Sequence, residues 1–360
     1  MQTSLQIRLL APLALIALPG WAPAALPSDV QLLYDTGDCR DCDLAGVDLS
    51  SMRLMSADLS GADLRGATLR KTVLFRANLS RSDLRDANLE KASLGRVILD
   101  GADMRGLDLR GARLAHAEMR GTRLQRTDLS ESMLDHADLR GADLRGAVLS
   151  KASAKYVKVA GARLAQADLT HADLRSVDLR RVADLAEADL GGADLRNARL
   201  DDLDVASVRF DGTDLRSASL THASLRGTSL VGANLRKATL INADLRGASL
   251  QEANLLSTKL EGARLAEAKL DRTRISGNLI GADFSGASLV GADLSGTNLK
   301  GAIFFGANLE RASLERCNLY AADFGDANLR GANLRGANLR KINLEGADLT
   351  GAVLDDALGR

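Results

Sequence analysis

No proline lies beyond residue 27; all four (Pro12, Pro19, Pro23 and Pro27) fall in the first segment of the chain. Proline removes a main-chain donor and sits badly inside a sheet, so its absence is what stacked, hydrogen-bonded strands require. Aromatic residues make up only 3% of the chain and Trp21 is the single tryptophan, which leaves little to stack on sugars or bases. Lysine plus arginine and aspartate plus glutamate each total 47. Such a balance provides no global field to attract nucleic acid or to imitate it. With three cysteines and four histidines, there is no zinc-type cluster, and the chain also lacks a nucleophile elbow and a phosphate-binding glycine loop. Beyond Ala24 no stretch is continuously apolar, because aspartate and arginine interrupt every run; no transmembrane helix is expected.

What the chain has is a period of five. An apolar central residue, usually leucine, recurs in three runs: Leu44 to Leu179, Leu185 to Ile275, and Leu279 to Leu354. The residue two places before it is small, and the one between is commonly Asp, Asn or Ser, as in Gly61-Ala62-Asp63-Leu64-Arg65 and Gly331-Ala332-Asn333-Leu334-Arg335. Five fits neither the 3.6 of a helix nor the alternation of a long strand. It fits a short extended step followed by a corner. The small residue and the central leucine then point inward, and the Asp or Asn between them points out. The last two positions, such as Arg145-Gly146, turn the chain, and glycine suits such corners. A short period sustained over most of the chain defines a solenoid whose units do not fold alone.

Phe284, Phe304 and Phe324 share the central position at intervals of 20. A coil of four units would stack the three rings in one column. Two slips break the register: one residue extra in Arg181-Val182-Ala183-Asp184, and one short around Ser276-Gly277-Asn278. A third irregularity runs from Ser153 to Val159, where Ala154 replaces the central leucine and Tyr156 occupies a corner. These are either tolerated bulges and kinks or bends that shape a binding surface.

The pattern resembles the pentapeptide-repeat family, whose units read roughly A-[DN]-L-x-x, over residues from about 37 to 356. The resemblance implies an all-β fold: a right-handed quadrilateral β-helix with four units per coil and about sixteen coils. At about 4.8 Å between stacked strands, the rod would be on the order of 75 Å long. Some members of the family imitate DNA and protect topoisomerases, which needs a strongly negative surface and a cytoplasmic location; the neutral charge and the N-terminus disfavour that role here. The family also pairs through C-terminal ends. Leu339, Leu344, Leu349 and Leu354 line the last coil, so a homodimer through that end is expected, although Asp355-Asp356 would repel across a two-fold axis.

Residues 1–24 read as a cleaved signal peptide, with Arg8, the apolar run Leu9 to Leu18, and Ala22-Pro23-Ala24 before the cut. The expected location is periplasmic or extracellular. Residues 25–38 should hold a short capping helix, with Ser28 as N-cap and Gly37 as stop, ahead of a β-helix over 39–360. Cys39 and Cys42 fall on inward positions across one corner, where an oxidising compartment favours a disulfide; buried free thiols, or redox or metal chemistry, are the alternatives. Cys317 occupies a small inward position and reads as a core residue.

Two constellations could carry function. His116 and His136 occupy equivalent corners four units apart, each followed at the second position on by a carboxylate, Glu118 and Asp138. Together they could bind a divalent metal; chance coincidence of freely varying corners is the plainer explanation. Arg175, Arg196, Arg216 and Arg236 should form a ladder on one face of four successive coils, and Arg65, Arg85 and Arg105 a second. Asp173, Asp194 and Asp214 can neutralise the first ladder; otherwise it would bind an acidic polymer or a membrane surface. The sequence thus describes a non-enzymatic, cofactor-free scaffold or interaction protein whose partner is another protein or an envelope component, not nucleic acid. A metal-dependent enzyme using His116 and His136 is the least favoured reading.

Overall fold

In a computed structural model the chain is described from residue 28 to residue 359; the expected signal peptide lies outside the described residues. The period of five becomes a chain of short steps and tight turns. In each unit the N–H of the next small residue donates to the carbonyl of the central residue, as from Ala62 to Leu59 at 3.2 Å and from Ala302 to Leu299 at 3.0 Å. The third residue of that turn takes a positive φ, 71° at Gly61 and 64° at Gly301, the mark of a type II turn. Non-glycine residues adopt the same conformation at many corners, among them Arg81, His116, Tyr156 and Lys237. The hydrogen-bonded stack around them therefore outweighs the modest cost of each left-handed residue.

Parallel bridges join outward positions four units apart, as in Asp43 to Asp63 to Asp83 to Asp103. One coil is thus four units, and the fold is a β-helix-like stack of four-sided coils. Leucines fill its axis: nearly all central side chains from Leu44 to Leu339 are buried. The phenylalanine column forms as the spacing predicts, with ring centroids of Phe284 and Phe304 4.9 Å apart and those of Phe304 and Phe324 4.6 Å apart. Several threonines in the small inward position donate their hydroxyl to a carbonyl of the coil below, as from Thr72 to Leu49 and Thr213 to Leu190. Cys317 does the same through its thiol to Leu294, and burial pushes that thiol up to about 12. It is a core residue.

The N-terminal end is covered by helix α1, Ser28–Thr36, which buries Val30 and Leu33 against the first coil. The Asp29 carboxylate accepts the main-chain N–H of Asp43 at 2.9 Å and ties the helix down. Gly37, at φ 69°, ends it. Ser28 does not act as the expected N-cap: its hydroxyl reaches the neighbouring Asp29 carboxylate. Cys39 and Cys42 are joined in a disulfide, with Cα atoms 5.3 Å apart.

The register slips have different structures. At the first, Ala183 is a β-bulge: its N–H takes the bond to Ala162 that the outward residue normally makes, and Asp184 then bridges Arg163. Below and through this coil the bridges are one residue longer in span, as from Asp168 to Asp189, and the regular span returns at Asp189 to Arg209. At the second slip two longer strands form, β1 at Asn254–Lys259 and β2 at Arg274–Asn278, paired in parallel with a register shift. Gly277 is required there. Its φ is 128°, and a Cβ would lie 2.1 Å from the carbonyl oxygen of Thr258. In the Ser153 to Val159 irregularity Ala154 keeps its main-chain bond to Asp173, whereas on the next face no bridge joins Lys158 to Asp178. The missing leucine leaves only a small internal void of about 20 Å³, lined by Ala154, Val157 and neighbouring leucines.

Candidate functional site

The outward faces carry what chemistry the rod has. In a unit containing Asp-Leu-Arg, the aspartate and arginine flank the buried leucine and emerge side by side. Arg175 donates from Nε and Nη2 to the two carboxylate oxygens of Asp173 at 2.8 and 2.7 Å. Arg196 grips Asp194 and Arg216 grips Asp214 in the same forked way. Arg175 and Arg196 also approach the carboxylate one coil on, Asp194 at 3.6 Å and Asp214 at 3.8 Å. Arg65, Arg85 and Arg105 grip Asp63, Asp83 and Asp103 in the same forked way. Bidentate pairing of this kind fixes the guanidinium plane against the face.

The ladder Arg175, Arg196, Arg216 and Arg236 does stand on one column, since Asp173, Asp194, Asp214 and Asn234 are bridged in succession. Its last member differs. Asn234 replaces the aspartate, so Arg236 gains only a bond from its own N–H to the asparagine oxygen at 3.3 Å. Among the described residues, no carboxylate holds its guanidinium.

The outward aspartates have a second task. The carboxylate accepts the N–H of the residue after the leucine, as in Arg65 to Asp63 at 3.1 Å and Ser130 to Asp128 at 2.9 Å. Without that acceptor one donor per unit would have only water. The outward position alone implies no more than solvated charge. The recurrence of aspartate one place before the leucine is the signal for this bond. Where arginine is present as well, its side-chain hydrogen bond holds the carboxyls of Asp63, Asp83, Asp138, Asp143 and Asp244 below the usual carboxylate range, against the opposing effect of burial.

The histidine constellation does not assemble as a metal site. His116 and His136 stack face to face, centroids 5.0 Å apart and planes 4° from parallel, and Tyr156 continues the stack above His136. Their carboxylates are taken by arginine, Glu118 by Arg120 and Asp138 by Arg140. Among the described residues no three His, Cys, Asp or Glu side chains converge in a way that could hold a metal ion. Also among these residues, no helix is long and apolar enough to cross a membrane. Tyr320, one coil above Lys300, lies between Lys300 and Lys341, with ammonium groups 5.7 and 5.4 Å from its ring centroid.

A four-sided coil of five-residue units, with small, outward and leucine positions in fixed order, defines a class of repeat protein. The family described as "Pentapeptide repeats (8 copies)" matches at residues 38–70, 77–115, 108–146, 147–182, 183–216, 213–251, 240–277, 278–316, 304–336 and 327–357. The chain belongs to the pentapeptide-repeat family. Among solved structures it is similar to HetL, a pentapeptide repeat protein involved in heterocyst differentiation regulation from the cyanobacterium Nostoc sp. strain PCC 7120. That match has 31% identity over 71% of this chain and 89% of HetL, with a TM-score of 0.24. A pentapeptide repeat protein of the Arabidopsis thaliana thylakoid lumen is 27% identical over 29% of this chain and 70% of its own, with a TM-score of 0.23. QnrB1, a plasmid-mediated fluoroquinolone resistance protein, is 19% identical over 68% of this chain and 92% of its own, with a TM-score of 0.26. No curated protein sequence matches the chain.

Proposed function

We propose that the protein is a non-enzymatic scaffold or interaction module of the periplasm or cell exterior, built as a right-handed rod of about sixteen coils. The observation that carries this is the self-neutralised surface. Each Asp-Leu-Arg unit closes its own charges in a forked pair, so the faces offer shape, mixed polarity and a few unpaired groups instead of a strong field. A DNA-mimicking role would need carboxylates left free along the rod, whereas here arginines hold them. The signal-peptide pattern of residues 1–24 and the Cys39–Cys42 bond support an oxidising compartment.

Arg236 and the arginines below it are the residues we assign to partner contact. The test is capture from envelope extracts by the immobilised full chain, compared with a variant carrying Arg175→Ala, Arg196→Ala, Arg216→Ala and Arg236→Ala. We expect a defined protein retained by the first and lost from the second at matched thermal stability. Equal retention by both would remove the ladder from the proposal, and retention of nucleic acid alone would overturn it. The proposal extends to a homodimer through the C-terminal coil, where Leu344, Leu349 and Leu354 are only half-buried. Sedimentation of the full chain as a clean monomer would remove that extension.

A further inference from the structure

One coil above the bulge at Ala183 the facing strands part, as they also do between Asn88 and Asp108, where there is no bulge. On this face the lower strand runs through Val182, Asp184 and Leu185, and the upper through Leu203, Asp204 and Val205. Every regular unit would give three main-chain bonds between such strands. Here none forms: no bridge joins Asp184 to Asp204, and the N–H groups of Leu185 and Asp204 meet no acceptor among the described residues. The N–H of Glu187, which would donate to Ala206, goes instead to the Ser207 hydroxyl at 3.2 Å. The other three faces of these coils keep their bridges, as in Asp189 to Arg209, Asp194 to Asp214 and Arg199 to Ser219.

The cause is legible in the side chains. Leu203 occupies the inward position that is normally alanine, directly above Val182, and both are only partly buried. Two large residues stacked where two small ones belong hold the strands apart. The result is a cleft of about 440 Å³ lined by Val182, Asp184, Leu185, Leu203, Asp204 and their neighbours, a size within the usual range of binding sites. Its floor is apolar and its two walls are facing strand edges. The walls also carry two outward carboxylates. Alanine follows the central residue in both units, as it does after Asp43, so Asp184 and Asp204 have no arginine two places on and accept the N–H groups of Ala186 and Ala206.

We propose that this cleft takes an extended segment of a partner protein, inserted as a parallel strand between the two coils. Main-chain pairing to both edges supplies the attraction, as in other strand additions. The inward side chains of the segment cover Val182 and Leu203, and a basic side chain between them faces Asp184 and Asp204. The site extends the reading of the rod as an interaction protein but lies apart from the arginine ladder. Its failure would leave ladder-dependent capture untouched.

The probe is fluorescein-labelled acetyl-Thr-Val-Lys-Val-Thr-amide, titrated against the full chain by fluorescence anisotropy. We expect saturable binding. The same peptide N-methylated at its lysine and second valine loses the two donors that face the walls and should bind at least about tenfold more weakly. Replacing its lysine by glutamate should weaken it comparably. Val182→Ala and Leu203→Ala are the two variants, and Leu203→Ala bears most directly on the cause. It lets the strands close, and should cut binding at least about tenfold while the thermal midpoint holds or rises. No saturable binding, or binding indifferent to N-methylation or to Leu203→Ala, would overturn the proposal.

Discussion

Leu235→Asp should unfold or badly fray the middle of the rod, while Arg236→Ala at the next position should leave stability unchanged within about 0.5 kcal/mol. Leu235 is fully buried in the leucine column, and its main chain bonds to Asn254 above. A carboxylate there has no partner: it either remains charged, at a cost of several kcal/mol, or must take up a proton. The missing leucine also leaves a cavity that the neighbouring coils cannot fill without breaking their own ladder. Arg236 points the other way: its N–H donates to the Asn234 side-chain oxygen and its carbonyl accepts from Ser217, so trimming the side chain leaves both bonds and removes only solvated atoms. The check is the thermal midpoint of each variant by circular dichroism. Similar midpoints for both would show the inward and outward assignment to be wrong.

The second large effect is with pH. Asp63, Asp83, Asp138, Asp143 and Asp244 titrate below the ordinary carboxylate range in the folded rod because arginine side chains hydrogen-bond their ionised forms. Unfolded, they titrate near about 4. Their contribution is therefore complete above that value and is lost as pH falls through the lower folded values. Solvent screening limits each to about 0.5 kcal/mol, so the five together contribute roughly 2 to 3 kcal/mol. The thermal midpoint should hold steady from neutral pH to about 5 and fall steeply below about 4. Replacing all five by asparagine keeps an acceptor for the following N–H but removes the titration, and should flatten that fall. A midpoint independent of pH down to about 2.5 would mean that the forked pairs contribute nothing.

Both effects rest on features that differ in how plainly the sequence shows them. The side of the backbone each residue faces follows from alternation within one short step, so Leu64, Asp63 and Ala62 could be placed without coordinates. The four-unit coil was visible in three phenylalanines, because large rings stack only at the true repeat. The inward positions of Cys39 and Cys42 across one corner allowed a disulfide, buried thiols or a redox or metal pair, and an expected oxidising compartment favoured the first. Other features were hidden for physical reasons. Many non-glycine corners are left-handed because the stack over-determines them, and local propensity cannot show that. The outward aspartates looked like solvated charge, since hydrogen bonding to a neighbouring N–H leaves no pattern distinct from solubility. His116 and His136 were correctly placed one coil apart, but spacing cannot reveal that two imidazoles will stack in parallel instead of converging. The cleft beside Ala183 depends on Leu203 lying over Val182. That contact appears only once the extra residue has been threaded through the coil.

The claim beneath all of this is that one five-residue unit sets the bonding of every amide in the rod, with a local failure where the coils part. Residue-resolved hydrogen exchange on the full chain tests it most directly. The N–H of most central leucines bonds to the next coil, as from Leu235 to Asn254 and Leu245 to Arg264. The N–H one place later has only a side-chain oxygen, as in Arg236 and Arg246. Exchange should therefore rise and fall with a period of five, slow at Leu235 and Leu245 and fast at Arg236 and Arg246. Leu185 should exchange far faster than Leu190, whose N–H reaches Arg209. Exchange without a five-residue period, or Leu185 as slow as Leu190, would contradict the account.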